Sequence, residues 1–438
     1  MTRRDFISRT AIGFAGASGE INSVLRGDSM GLTGSTKRTS ISTLCGKKLT
    51  ELRDDYRRML FEEFIPWWYK YGIDGKYGGF ITQMQPDGAL FTTDKNMWYQ
   101  GRGLWTFSYL YNHFDKDQRH LNVASRTVDF ISQYGRDTRG DWIYMLTREG
   151  KPLSDSTNIF SGIFIIYGLV EYFRATEDKK FLDMAVATTR RTMERIESPD
   201  FQGVDKSYPA GARVHGLWMI FISVITELLK EYPDPDIEKA AHRYVDNILN
   251  HHYDPVIKLT REILAHDFSR LSGELGNMVN IGHVAECVWM VKHEAERVGN
   301  TNLVQQSLDI LPSHLEAGWD NERGGIFWTI DAVTKKPINS VKAGWAHQEY
   351  MISLLETIEH NGSEWAMKWY EKVYEYAFRT FPDREYGQWQ RVVTSDGKLL
   401  PITPNLPFIA NETRDVFHYP RFLMFTMQIL DRLIKKKE

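Results

Sequence analysis

The chain is 438 residues long, 42% apolar and 25% charged, an ordinary globular balance with ample material for a core. Its 54 basic and 57 acidic side chains leave a net charge of −3, so no basic surplus points to nucleic acid or an anionic membrane. The two cysteines, Cys45 and Cys287, exclude a disulfide framework and cannot alone supply a four-ligand structural zinc site.

At the N-terminus, Thr2-Arg3-Arg4-Asp5-Phe6-Ile7 and the small-apolar stretch from Thr10 to Ser18 resemble a twin-arginine export signal. Residues 1–18 are therefore expected to direct the protein to the periplasm or further out; the bland alternative is a basic arm on a cytoplasmic protein. Residues 19–44 are rich in Ser, Thr and Gly, lack periodic apolar spacing, and read as a flexible linker. No later stretch approaches about 18 uninterrupted apolar residues, so no membrane span is expected.

Beyond the linker a pattern recurs: an acidic residue, glycine, then an aromatic or aliphatic run. It begins at Asp74 (Asp-Gly-Lys-Tyr-Gly-Gly-Phe-Ile), Asp137, Asp320 and Asp383, and each copy reads as a short hairpin between turns. Within each pair the starts are 63 residues apart, and self-similarity at a fixed period signals stacked supersecondary units. Between the hairpins the spacing is helical. Leu49, Leu52, Tyr56, Met59 and Leu60 form one stripe, Leu104, Phe107, Leu110 and Tyr111 a second, and Ile163, Ile166, Tyr167, Val170 and Phe173 a third. Residues 45–438 are long enough for about six two-helix units of this period. With no polar capping repeat to end an open solenoid, the expected fold is a single all-α domain: six helical hairpins closed into a toroid, with short β-hairpins gathered at one rim. Chemistry is then expected where loops enter the inner helices.

Four segments fall at such places. In Trp98-Tyr99-Gln100-Gly101-Arg102-Gly103, a permanently charged guanidinium at a helix start suits an oxygen that becomes anionic during reaction, or equally a structural tie between helix ends. In Gly282-His283-Val284-Ala285-Glu286, the three-residue spacing places an imidazole and a carboxylate on one helix side, so that Glu286 is expected to orient His283; a lone helical histidine more often satisfies a local hydrogen bond. In Trp345-Ala346-His347-Gln348-Glu349, the His-x-Glu lacks the Pro-Cys-x-x-Cys partner of a zinc deaminase, leaving Trp345 to lie against a sugar ring and Glu349 to bind hydroxyls, or simply a packed helix start. In Asp415-Val416-Phe417-His418-Tyr419-Pro420-Arg421, the first turn of a helix lowers the pKa of His418 and favours its neutral form, while Arg421 reads either as a ligand contact or as a structural ion pair. No Gly-rich phosphate loop, His-Glu-x-x-His or Gly-x-Ser-x-Gly element occurs.

In order, these segments resemble the N-acylglucosamine 2-epimerase family, which includes cellobiose 2-epimerases and mannose isomerases, from about Leu49 to Leu430. The resemblance is carried by Tyr56, Tyr77-Gly78-Gly79-Phe80, Trp98-x-Gln100-Gly101-Arg102-x-x-Trp105, Gly282-His283-x-x-Glu286, Gly318-Trp319-Asp320, Trp345-x-His347-x-Glu349, Glu385-Tyr386-Gly387-x-Trp389 and Phe417-His418-x-Pro420-Arg421. It implies an (α/α)6 barrel, with Arg102, His283, Glu349 and His418 as essential residues and Glu286 in support. Tyr56, Trp98, Trp345 and Arg421 become the expected substrate contacts. The segments Asn411-Glu412-Thr413-Arg414 and Ala212-Arg213-Val214-His215-Gly216-Leu217-Trp218 depart from the family pattern and are expected to border the sugar pocket.

The activity so implied is interconversion of C2 epimers of a reducing sugar, most naturally an N-acylhexosamine, through an enediolate. Inversion at C2 takes a proton from one face and returns one to the other, which His283 and His418 together supply; Arg102 steadies the oxyanion. No metal or redox cofactor is expected, and a small sugar is the only partner required, a homodimer being allowed but not specified. The rivals are an aldose-ketose isomerase on the same site, a six-hairpin glycoside hydrolase using Glu349 and Asp320, and a noncatalytic sugar binder.

Overall fold

The computed structural model describes residues 41–400 and 414–436. The proposed export segment, all but the last residues of the linker, the loop from Pro401 to Pro407, and Asn411 to Thr413 lie outside the described residues. The linker expectation is two residues too long, because Thr43–Leu44 already pairs with Lys47–Lys48 in a hairpin.

Helices dominate and form two concentric rings. The outer ring contains α1 (Leu49–Arg58), α3 (Gln118–Tyr134), α5 (Lys179–Glu197), α7 (Pro235–Asp246), the broken pair α9 (Thr301–Asp309) and α10 (Leu311–Gly318), and α12 (Glu364–Thr380). The inner ring contains α2 (Met97–Leu110), α4 (Ile159–Thr176), α6 (His215–Glu231), α8 (Ile281–Arg297), α11 (Gly344–Asn361) and α13 (His418–Lys435). Neighbouring inner helices pack on one another in that order, and α13 closes the ring against α2: the Thr106 hydroxyl donates to the Val416 carbonyl at 2.6 Å, and Tyr109 donates to Gln428 at 2.9 Å. The expected six-hairpin (α/α)6 barrel is the observed fold among the described residues.

The rings differ as their positions demand. Outer helices are amphipathic; in α3, Val123, Ala124, Thr127, Val128 and Ile131 are buried while the opposite face is wet. Inner helices are buried on nearly every side because both faces are covered. The helix α4 is long and apolar enough by length and composition to cross a membrane, yet it is a largely buried stave of this barrel. It meets α2 at very short range: a Cβ on Gly101 would lie 2.4 Å from the Phe164 backbone, and one on Gly168 would lie 2.7 Å from the Gly101 carbonyl. Only glycines permit that approach, which fixes the height of the adjacent Arg102. The outer helix α1 runs on to Gly72 through two π-helical stretches that flank Pro66; proline has no N–H for the carbonyl four residues back, and the wider turns absorb the gap.

All inner helices start at one rim, and tiny antiparallel sheets hold them there. Lys95–Asn96 pairs with Met145–Leu146, Arg213–Val214 with Ile263–Leu264, Met278–Asn280 with Thr329–Asp331, and Lys342–Ala343 with Val392–Val393. The repeated acidic turns lock these sheets. Asp74 Oδ1 accepts from the backbone N–H of Lys76 and Tyr77, and the buried Lys95 ammonium bonds the Gly78 carbonyl at 2.7 Å while pairing with Asp74 at 3.0 Å. Lys342 repeats the device, donating to Asp320 at 2.8 Å, and Asp320 accepts from the N–H of Glu322 and Arg323. Asp320 is thereby occupied as a turn anchor and does not reach the cleft described next, which removes the Glu349–Asp320 pair on which the glycoside hydrolase reading rests.

Candidate active site

At the rim where the inner helices begin lies a cleft of about 250 Å³ lined by Trp98, Arg102, His283, Glu286, Trp345 and His418 among others. A larger cavity of about 340 Å³ occupies the opposite mouth, near the helix C-termini. Its charges are already spent on one another: Arg174 binds Glu171, Glu227 and Glu231, and Lys292 binds Glu356. The rim cleft is the one that holds charged and acid-base groups without such closure.

His283 and His418 come from α8 and α13, 135 residues apart, yet both rings lie against Trp345, at centroid distances of 5.6 Å and 5.4 Å. Each sits in the first turn of its helix. Asn280, the N-cap of α8, accepts from the His283 N–H, a cap of the kind that stabilises a helix start by about 1 kcal/mol, and Asp415, just ahead of α13, accepts from the N–H groups of Phe417 and His418 at 2.8 Å and 3.0 Å.

The carboxylate beside His283 is not the expected one. Glu262 Oε1 lies 2.9 Å from His283 Nδ1, and a carboxylate only accepts, so Nδ1 carries the hydrogen and Nε2 is the working nitrogen. Burial disfavours the imidazolium, but the Glu262 charge outweighs it and holds the His283 pKa above the ordinary histidine value. Glu262 itself stays ionised: burial opposes this, and the neighbouring His283 and His215 carry its pKa far below the usual range.

Glu286, one helical turn deeper on α8, faces inward to Arg421 at 2.6 Å instead of orienting His283. Arg421 also meets Glu349 at 2.6 Å, and Glu349 in turn accepts from Trp289 Nε1 at 2.9 Å and lies 3.1 Å from His418 Nδ1. Two expectations are corrected here. Glu349 and Arg421 are wholly buried and do not line the cleft. The guanidinium neutralises two carboxylates that would otherwise repel, so both residues act beneath His418 and not on a ligand. Both N–H groups of Arg421 Nη2 are directed to carboxylates, so His418 Nδ1 donates to Glu349 and its Nε2 keeps the lone pair. Burial pushes Glu349 up to about 7, with Glu286 adding to the rise and Arg421 opposing it. Burial, then the charges of Arg102, Arg421 and Arg391, hold His418 well below the ordinary value, so it is neutral near pH 7. The direction is the one expected from the helix start, but burial and the neighbouring arginines are its causes.

Arg102 stands in an aromatic cage: its guanidinium carbon lies 4.2 Å from the Phe164 centroid, 4.8 Å from Trp98 and 4.9 Å from Phe417. Flat faces hold the cation without using its N–H groups, and Nε has no acceptor among the described residues. That separates the two sequence readings in favour of a donor free for a ligand oxygen. Trp98 stacks on Phe164 at 5.5 Å and forms one wall. Tyr56 is corrected: it sits on outer α1, fully buried, with its hydroxyl 2.6 Å from Tyr370 and its ring against Phe422. His347 is a core histidine whose Nε2 accepts from the Ile326 N–H at 2.9 Å.

Three contributors carry no sequence signal of their own. Glu262 lies in a loop 21 residues before His283. Tyr99 and Arg391 line the cleft and meet through the tyrosine hydroxyl at 3.1 Å. The unusual segment around His215 does border the cleft, through Val214 and Gly216. Of the other, Arg414 is described: it is buried and pairs with Asp383 at 2.6 Å. Of the four clusters among the described residues that bring ligand-type atoms close enough for a cation, two adjoin the cleft, Glu286 with Glu349 and His418, and His215 with Glu262 and His283; in the first, Arg421 already supplies the positive charge.

A helical toroid whose rim presents two imidazoles, an aromatic-caged arginine and flat tryptophans is the frame of a carbohydrate isomerase. Residues 79–407 match the family described as N-acylglucosamine 2-epimerase (GlcNAc 2-epimerase). The chain is 29% identical to a mouse N-acylglucosamine 2-epimerase over 86% of its own length and 91% of the relative's. It is 23% identical to a Bacteroides fragilis cellobiose 2-epimerase over 80% and 92% of the two chains. In fold it is similar to the crystal structure of a sugar epimerase from a ruminal bacterium, with a TM-score of 0.72, 22% identity and coverage of 86% and 98%. The chain belongs to the N-acylglucosamine 2-epimerase family, and it is an isomerase of the sugar-epimerase class.

Proposed function

We propose that the protein interconverts N-acylglucosamine and N-acylmannosamine by acid-base exchange at C2 between His418 and His283. The observation that carries this reading is the placement of both imidazoles against one tryptophan in one cleft, with their pKa values driven in opposite directions. Groups displaced apart in this way define an acid and a base. His418, neutral, removes the C2 proton of the open-chain aldehyde; the C2–H electrons form the C1–C2 double bond and the carbonyl oxygen becomes anionic beside Arg102. His283, charged, returns a proton to the opposite face of C2, restoring the aldehyde with C2 inverted. In the other direction the two histidines exchange roles. Loss of an oxyanion donor such as Arg102 lowers the rate on the order of 10²–10³-fold.

The choice of an N-acyl sugar over a plain hexose rests on the cleft wall. Phe160, Val204, Val214, Met219 and Ile220 line the same cleft as the polar groups, apolar surface suited to an acyl methyl and not to a hydroxyl.

The test is incubation with N-acetylglucosamine, N-acetylmannosamine, mannose and cellobiose in deuterated water, with NMR reading isotope at C2. Deuterium at C2 of the inverted N-acylhexosamine is the expected result, lost in His283→Ala and His418→Ala. Turnover that survives both substitutions refutes the mechanism. A ketose product assigns the site to aldose-ketose isomerisation, and preference for cellobiose overturns the substrate assignment.

A further inference from the structure

Behind His283 lies a second histidine that the mechanism above does not use. Antiparallel pairing sets Val214 opposite Ile263 and Arg213 opposite Leu264, so the dipeptide His215-Gly216 arrives beside Glu262. Three contacts follow. The His215 N–H donates to the Glu262 carbonyl at 2.8 Å, and the Gly216 N–H donates to Glu262 Oε1 at 3.1 Å. His215 Nδ1 stands 3.6 Å from Glu262 Oε2, just beyond hydrogen-bond range. Neither that oxygen nor either His215 ring nitrogen has another partner among the described residues, and both side chains are buried. Further in, the His252 ring lies 5.7 Å from His215; its Nδ1 donates to the Arg261 carbonyl at 2.8 Å and burial keeps it neutral, with its pKa lowered to about 3.

A buried carboxylate with one unmatched oxygen is unstable as an anion unless a second donor faces it. The problem sharpens during turnover. When the His283 imidazolium gives up one proton it must be the one on Nε2: were an underdonated Glu262 to take the Nδ1 hydrogen while Nε2 kept its own, the neutral ring would hold its lone pair on Nδ1 and none on the nitrogen needed for the return reaction.

We propose that His215 is a positioning residue for His283: its Nδ1–H serves Glu262 Oε2, keeps Glu262 ionised through both halves of the cycle, and so fixes His283 in the Nδ1–H form. The proposal rests on His283 being one of the two proton carriers. The other titratable groups around the pair are Glu286 and Cys287 on α8, His418 across the cleft, Tyr208 from the facing loop, and His252 and His314 behind; none of these offers a hydrogen bond to Oε2.

The experiment is the pH profile of kcat/KM for wild type, His215→Phe and His215→Asn, with nitrogen-15 histidine NMR of the unaltered enzyme. Without its second donor Glu262 becomes more basic and binds the His283 imidazolium more tightly. The basic limb therefore moves to higher pH by about half a unit to one unit, with kcat about tenfold lower. Asn, which can still donate, restores part of both. In the NMR, the His215 hydrogen resides on Nδ1. A lower rate or melting temperature with unmoved limbs, or a His215 hydrogen on Nε2, overturns the proposal; the NMR decides even if both variants misfold. Loss of activity on chelation and its recovery with zinc makes the same cluster a metal site and also overturns it. Failure of the two-histidine mechanism itself appears separately, as turnover in His283→Ala.

Discussion

Glu262→Gln separates the charge of this carboxylate from its shape. The Gly216 N–H points at the Oε1 position, 3.1 Å away, and so selects the amide oxygen there, leaving His283 Nδ1 an acceptor at the same 2.9 Å. The negative charge is removed, and the amide NH2 takes the Oε2 position 3.6 Å from His215 Nδ1, which then has to present its lone pair there. A hydrogen bond to a charged group contributes about 1.5–3 kcal/mol, against about 1 for a neutral one, so the imidazolium loses on the order of 1–2 kcal/mol, close to one pKa unit. His283 is raised in the native protein by this charge against the effect of burial; with the charge gone, burial governs and its pKa falls. The proton donor is then depleted near neutrality, and the basic limb of kcat/KM moves down by about one unit. On the proposed mechanism the acid limb belongs to His418, which burial and three arginines hold down with the His283 charge as a lesser cause, so it shifts less than the basic limb. Measurement is by isotope incorporation at C2 from about pH 5 to about pH 9, a range that brackets the histidine value. A basic limb that stays where it is while the rate drops would refute the assignment of Glu262 as the partner that sets the His283 proton affinity.

Gly216→Ala tests the tightness of the same contact. The added methyl would stand 2.6 Å from His283 Cε1 and 3.0 Å from Glu262 Oε1, so the ring must move; a displacement near 1 Å lowers kcat about 10²-fold, with substrate affinity by equilibrium titration changed little. Tyr56→Phe is the opposite case. Its hydroxyl meets only Tyr370 in the outer layer, so kinetic constants remain those of wild type while thermal unfolding registers a loss of about 1 kcal/mol.

The sequence carried the scaffold well and the site unevenly. Asp74, Asp320 and Asp383 mark their hairpins because each turn needs glycine near the tip. The equivalent turn at Asp254 escapes notice: Asp254 accepts from the Val256 N–H as the others do, but Lys258 takes the left-handed position at φ 56° where a glycine would have flagged it. His283, His418, Arg102, Trp98 and Trp345 were legible because each sits in the first turns of an inner helix, where the rim faces the cleft. Glu349 and Arg421 share those segments, yet a linear motif does not say which side chains point to the ligand and which lie beneath. Tyr56 failed for a simpler reason: its stripe belongs to an outer helix, and no spacing rule distinguishes outer from inner. Glu262 was invisible because its contact with His283 is made by strand pairing between distant loops, and the i, i+3 neighbour Glu286 offered a shorter and incorrect explanation.

The ring is closed by the last helix in the chain, and that helix brings His418. The other five inner staves precede it in the sequence, so until this stave docks the cleft lacks one of the two proposed proton carriers. Until the C-terminal stave threads between the first and fifth, Glu286 and Glu349 face each other without the arginine that reconciles them. On the proposed mechanism the onset of sugar inversion therefore reports the closure of the helical ring, where the sixth inner stave meets the first.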